Sequence, residues 1–242
     1  MATFVLVHGA WHGGWCWRDT VTAMQAQGHR VFAPTLSGKG ERQHLAHQGI
    51  TLETHVRDVI GVFEAEELED VVLVGHSYGG MVITGVADRI PDKIARLVYL
   101  DAFVPEHGES LLDAIRKALP PEVAAHYFQT FFDGARRDHA MLMPPLPGAL
   151  FGATPATDAW MQRRCNAQAL ATFTNPVLLA GAANDTPKTY VLADGWDPSP
   201  FRYFAARCGG QPDWRVVKMA GGHGLMMDSP DALAEVLAAQ AA

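Results

Sequence analysis

Ser77 lies in Gly75-His76-Ser77-Tyr78-Gly79, a G-x-S-x-G pattern entered from the apolar run Val71-Val72-Leu73-Val74 and left through Gly80-Met81-Val82-Ile83, which is compatible with a helix. A serine on a sharp turn from strand to helix presents its hydroxyl for attack on an acyl carbon, and the two glycines let strand and helix approach closely. A Gly-rich turn that merely packs a helix on a sheet would share the pattern, but the flanking strand and helix favour a nucleophile. Such a serine needs a base. Of the 11 histidines, His223 follows the last strand and precedes the last helix, where a chain ordered serine, acid, histidine places it. His8, His12 and His76 read as packing or hydrogen-bonding residues. A carboxylate that holds the tautomer of His223 has to stand at a strand end on the same edge of the sheet. Asp101, closing the strand Ile94 to Asp101, is favoured. Asp194 and Asp197 also qualify, after the strand Lys188 to Ala193, unless they only cap a turn and a helix start.

Acyl transfer also needs donors for the oxyanion that develops on the attacked carbonyl. The loop His8-Gly9-Ala10-Trp11-His12-Gly13-Gly14-Trp15-Cys16-Trp17 follows the first long strand, Phe4 to Val7, and is rich in Gly and aromatics. We assign the two donors to the backbone N–H groups of Ala10 and Tyr78. Trp15 and Trp17 are read as closing the end of the sheet.

These groups need a frame. Helical spacing runs through Thr20 to Gln27 and Thr51 to Leu68, the latter opened by an imperfect capping box at Thr51 and Thr54; Gly28 to Pro34 reads as a helix stop, a strand and then a loop, and a further strand is expected at Trp214 to Met219. A closing helix spans Pro230 to Gln240. The alternation of strand and helix predicts an α/β fold whose central sheet is mostly parallel, with helices on both faces. From Val104 to about Thr186 the pattern changes to helical pieces at Leu111 to Ala118, Glu122 to Phe132 and Trp160 to Ala169, with a strand only around Val177 to Leu179. We therefore divide the chain into a core, residues 1–103 and 187–242, and an inserted helical cap, residues 104–186. Phe128, Phe131, Phe132, Met141, Met143, Leu146, Phe151 and Trp160 are candidates for lining an apolar substrate pocket, Trp160 being counted as a binding residue.

Composition narrows the partner. At 242 residues, 48% hydrophobic and 19% charged, the chain can bury a sizeable core. A net charge of −7 without basic clusters argues against nucleic acid or an anionic membrane surface and for a small neutral or hydrophobic ligand. No basic leader precedes the short apolar run at the N-terminus, and no stretch could span a bilayer, so a cytoplasmic protein is expected. Cys16, Cys165 and Cys208 are odd in number and far apart, which suits reduced, packed thiols and offers no metal-ligand spacing. No metal and no cofactor are implied.

Four motifs together resemble the α/β-hydrolase superfamily across nearly the whole chain: H-G-A-W-H-G-G-W-C-W at residues 8–17, G-H-S-Y-G-G at 75–80, Y-L-D-A-F-V-P at 99–105 and G-H-G-L-M-M-D-S-P from 222. Within it, the likeness is to the small plant methylesterases and hydroxynitrile lyases and their bacterial relatives. The resemblance implies Ser77 and His223 as nucleophile and base, Ala10 and Tyr78 as oxyanion hole, and hydrolysis of a carboxylic ester or closely related acyl bond of a small aromatic or hydrophobic substrate, with hydrolysis of an aryl carbamate such as a benzimidazole carbamate, or of an amide, as the alternative and ligand reception with little turnover as a second one. Hydroxynitrile lyases of this group carry a threonine and a lysine where this chain has Gly9 and Gly224, so cyanide elimination is disfavoured. Plant esterases carry the acid after the next-to-last strand, whereas other branches use the place occupied here by Asp101. Relatives are often dimers, so a homodimer is compatible with the resemblance.

Overall fold

In β3 (Val71–Ser77) every residue from Val71 to His76 is buried. Successive strand side chains point to opposite faces, so burial at each position means that both faces are covered, and this is why the strand reads as a continuous apolar run. The computed structural model describes residues 1–137, 140–183 and 185–241. The chain first alternates β1 (Thr3–Val7), α1 (Arg18–Ala26), β2 (Arg30–Phe32), α2 (Leu52–Ala65), β3, α3 (Gly79–Arg89) and β4 (Ile94–Ala102). An insertion follows, with α4 (Leu111–Ala118), α5 (Pro121–Arg137), β5 (Leu142–Met143), α6 (Pro155–Arg164), β6 (Gln168–Ala169) and α7 (Ala171–Thr174). The alternation resumes with β7 (Lys188–Ala193), α8 (Phe201–Gly209), β8 (Trp214–Met219), α9 (Leu225–Asp228) and α10 (Pro230–Ala238). Six strands form one sheet in the order β2-β1-β3-β4-β7-β8, all parallel. Among the described residues, no helix is long and apolar enough to cross a membrane.

Local signals account for most boundaries. At the start of α2 the capping box is complete: the Thr51 hydroxyl accepts from the Thr54 N–H, and the Thr54 hydroxyl accepts from the Thr51 N–H. The insertion departs from expectation in four places. The third of its helices covers Pro155–Arg164 and not Trp160 to Ala169, because Thr154 caps it and Pro155 occupies its first turn. Glu122 to Phe132 lies within a longer α5, which starts one residue earlier and continues to Arg137. Val177 to Leu179 is not a strand: Val177 exchanges backbone bonds with Gly108 and Glu109 (2.8 and 2.9 Å), outside the sheet. The antiparallel pair β5 and β6 was not expected, being two residues each and too short for any periodicity.

The turn from β3 to α3 is the tightest point of the core. A Cβ on Gly75 would stand 2.6 Å from the Gly79 carbonyl oxygen, and one on Gly80 would stand 2.1 Å from that of Phe103. Since both obstacles are backbone, neither can swing aside. Gly80→Ala is therefore expected to lower unfolding free energy by at least about 1–3 kcal/mol. Gly61→Ala, on an exposed stretch of α2 with nothing near its Cβ, should raise it by about 0.5–1 kcal/mol. Urea titrations of the two variants check both signs.

Candidate active site

Ser77 ends β3 with φ at +55°. A non-glycine residue held there costs about 1–3 kcal/mol and persists only when its surroundings determine it. Here the Phe103 N–H holds the Ser77 carbonyl (3.2 Å) and the Gly75 and Gly80 contacts hold strand and helix together. α3 has no side-chain cap, so its first backbone N–H groups have no side-chain acceptor. The Tyr78 side chain is anchored away from the turn. Its ring stacks on Phe173 (5.8 Å), and its hydroxyl lies 2.9 Å from His55 Nδ1, which accepts because His55 Nε2 donates to the Ser37 carbonyl (3.1 Å).

The loop after β1 is fixed atom by atom. His8 Nε2 accepts the Leu36 N–H (3.1 Å), which leaves its Nδ1–H to donate to the Gly9 carbonyl (2.8 Å), in the same peptide unit that carries the Ala10 N–H. His12 Nδ1–H donates to the Ala10 carbonyl (2.7 Å). Trp11, at φ +64°, is tied to the insertion three times: its N–H donates to Gln168 Oε1 (2.9 Å), its indole N–H to the Met143 carbonyl (3.2 Å), and its carbonyl accepts from the Asn166 N–H (3.1 Å). A Cβ on Gly9 would meet His76 Nδ1 at 2.8 Å and Ser77 Cβ at 2.9 Å, so a threonine has no room there.

His223 Nδ1 lies 2.7 Å from Asp101 Oδ2. Asp101 is fully buried, and its other partners are the Ala193 N–H on Oδ1 and the Trp196 indole N–H on Oδ2, each at 3.1 Å. Asp194 and Asp197 face outward. Both pair with Arg202, which holds their carboxyls below the usual range, and Lys218 lies 3.8 Å from Asp194. His76, next to the serine in sequence, donates Nε2–H to the His223 carbonyl (3.0 Å), so the serine's strand and the histidine's loop are directly bonded. Phe201 stacks on the His223 ring nearly in parallel (4.9 Å, 8°), with Trp196 and Phe151 tilted against it at 5.4 and 5.8 Å.

Ser77, His223, Ala10 and Tyr78 line one cavity of about 910 Å³, counting the space open to solvent, and Asp101 stands behind His223. The cavity walls are largely aromatic and aliphatic, with Trp11, Tyr127, Phe131, Phe151, Phe173 and Phe201 prominent. Of the expected lining residues, Phe131, Leu146 and Phe151 are in place; Phe128, Phe132, Met141, Met143 and Trp160 are not among the lining. Trp160 packs edge-on against Trp15 of the loop after β1 (5.0 Å), with Arg18 and Arg164 over its ring. The pairs Leu111/Ile115 and Tyr127/Phe131 reach the cavity from α4 and α5. Their four-residue spacing, which puts each pair on one helix face, was a readable signal. Among the described residues, no three His, Cys, Asp or Glu side chains come together as a metal site.

A sequence model of the alpha/beta hydrolase family matches residues 4–236. The chain is 60% identical over 240 residues to a carbendazim hydrolyzing esterase of Nocardioides sp. (strain SG-4G), with 99% of each chain covered. It is 33% identical over 155 residues to methylesterase 10 of Arabidopsis thaliana, covering 62% of this chain and 54% of that one. Among solved structures it is similar to an extracellular alpha/beta-hydrolase from a Paenibacillus species, described as sharing structural and functional homology with tobacco Salicylic Acid Binding Protein 2. That likeness has a TM-score of 0.83 and 26% identity, over 100% of this chain and 99% of the other.

The imidazoles around the site are held neutral. Burial pushes His8 down to about 3 and His12 and His55 to about 4, and pushes His76 well below the usual histidine range. An unfolded chain binds protons at these positions near pH 6.5 while the folded chain does not, so stability falls as pH drops from about 6.5 toward 4. Denaturant midpoints between pH 7 and pH 4 should show this decline. His55→Gln, which removes one such group, should flatten the slope by up to about 1.4 kcal/mol per pH unit.

Proposed function

The chain belongs to the alpha/beta hydrolase family and is an esterase-type hydrolase, and we propose that Ser77, His223 and Asp101 form its catalytic triad, acting on the carbamate ester of a flat aromatic amine. The observation that carries this reading is the 2.7 Å bond from His223 to the buried Asp101, beside a cavity that His223 shares with Ser77, Ala10 and Tyr78. Ser77 Oγ attacks the carbonyl carbon while His223 Nε2 takes its proton, and Asp101 stabilises the imidazolium through Nδ1–H. The Ala10 and Tyr78 N–H groups receive the oxyanion. Collapse expels the alcohol, protonated by His223, and leaves a carbamoyl group on Ser77. Water, deprotonated by His223, then releases a carbamic acid, which loses carbon dioxide to give the amine.

Two features support an aryl carbamate as substrate. The cavity walls offer aromatic faces on several sides, and a relative at 60% identity is named for hydrolysis of carbendazim. Simple aryl esters are the second reading, favoured by the same relative's designation as an esterase and by the methylesterase likeness. The two are separated by comparing kcat/KM for a benzimidazole carbamate with that for a panel of p-nitrophenyl esters. A higher value on every ester would overturn the carbamate reading.

For the residues, Ser77→Ala is expected to lose turnover and labelling by a fluorophosphonate probe. Asp101→Asn should lower kcat about 10⁴-fold, while Asp194→Asn and Asp197→Asn leave it unchanged. Full activity in Ser77→Ala, or a loss confined to Asp194→Asn, would overturn the assignment.

A further inference from the structure

The turn after β7 offers two carboxylates, and both face Arg202. Between them stands Trp196, 6% exposed, whose indole N–H reaches Asp101 Oδ2, the same oxygen that receives His223 Nδ1. With the Ala193 N–H on Oδ1, the two donors hold one oxygen each and so fix the carboxylate's plane. The indole itself is locked. The Asp194 N–H donates to the Met219 carbonyl (2.8 Å) and the Gly195 N–H to that of Gly221 (2.9 Å), binding the tryptophan's turn to the segment that leads into His223. Its ring packs edge-on against Phe151 (5.9 Å), and a Cβ on Gly152, at φ +72°, would stand 2.8 Å from Trp196 Cβ.

We propose that Trp196 is a positioning residue of the acid–base pair, its indole N–H holding Asp101 Oδ2 in the plane and at the charge density that suit the His223 bond. The inference rests on the triad reading given above. A turn that could have supplied the acid instead supplies a donor to an acid on the neighbouring strand. The donor does two things. It stops the carboxylate from rotating out of line with Nδ1, and it draws negative charge away from the oxygen that faces the imidazolium. Removing it should therefore slow turnover and, separately, strengthen the pull of Asp101 on a protonated His223. The other titratable groups around the pair are His76, whose ring centre is 4.3 Å from that of His223, His12 farther along the cavity, and Tyr190 of β7 beside Asp101. Burial keeps His76, His12 and Tyr190 uncharged, and Asp228 of α9, whose Oδ1 accepts from the Thr154 and Thr157 hydroxyls, is the same in every variant compared, so Asp101 is the carboxylate bonded to His223 whose charge the variants change.

The test uses Trp196→Phe, which keeps an aromatic ring and loses the N–H, with Trp196→His restoring an N–H on a five-membered ring. For Trp196→Phe, kcat should fall about 10- to 100-fold, and the acid limb of the kcat/KM profile should move up by about 0.5–1 pH unit. Trp196→His should recover part of both effects. Phe201→Leu removes the ring stacked on His223 and so a favourable cation–π contact with the imidazolium, and should move the acid limb down. An acid limb that stays put in Trp196→Phe, or that moves the same way in Trp196→Phe and Phe201→Leu, would overturn the proposal, because packing alone predicts no opposite signs. If Trp196→Phe does not fold, Trp196→His still decides: a limb near that of the unmodified protein supports the N–H, and one shifted up by a full unit refutes it. Fluorophosphonate labelling of Ser77 and the Asp101→Asn loss are measured alongside. Their failure would remove the triad reading itself, whereas their success with an unmoved acid limb would remove only the role of Trp196.

Discussion

A carboxyl group shut away from water has to be met by donors, since an unpaired buried charge costs several kcal/mol. Asp101 imposes that condition on the last third of the chain. Its oxygens are met by N–H groups from the end of β7, from the turn that follows and from the loop after β8, and only a sheet that sets β4, β7 and β8 side by side brings these together. The order β4-β7-β8 therefore does more than bury apolar surface. The long insertion leaves at the end of β4 and returns into the strand paired with it, so the aspartate and its donors stay adjacent whatever the intervening residues do. Asp101 itself has φ of +42°, a second left-handed non-glycine residue close to the first at Ser77. Both stand where β3 and β4 end side by side.

Much of this was legible in the sequence, and the limits have physical causes. Strands that are covered on both faces announce themselves as apolar runs, so β1, β3, β4 and β7 were found close to their true bounds. The serine's turn was legible because its glycines stand where backbone meets backbone. The carboxylate was harder. Three aspartates end strands or begin turns, and what separates them is a partner 122 positions away for Asp101 against one five or eight positions away for Asp197 and Asp194. The local partner was readable: Phe201, Phe204, Ala205 and Cys208 repeat at helical spacing and are the buried face of α8, which places Arg202 just past the two aspartates. Reading that helix would have occupied both acids and left Asp101. The ribbon of β5 and β6 could not have been found this way, because two residues carry no period and the partners that make it are tertiary.

The loop after β1 and the insertion form one bonded unit. Trp11 is held by residues of β5, β6 and the stretch before β6. From the core side, Lys39 inserts a buried ammonium onto the Asn166 and Ala167 carbonyls, with burial lowering it to about 7. Asn166 returns the contact, its side chain bonding the Gly40 N–H (3.0 Å) and the Gly38 carbonyl (2.8 Å).

One consequence concerns inheritance. The loop that carries Trp11 into the cavity wall is bonded to Met143, Asn166 and Gln168 of the insertion, so the insertion is not an interchangeable module. A recombinant that borrows this stretch from a relative would import its loop geometry along with its walls. In such chimeras, breadth of substrate and speed of turnover would be transmitted together, as one trait.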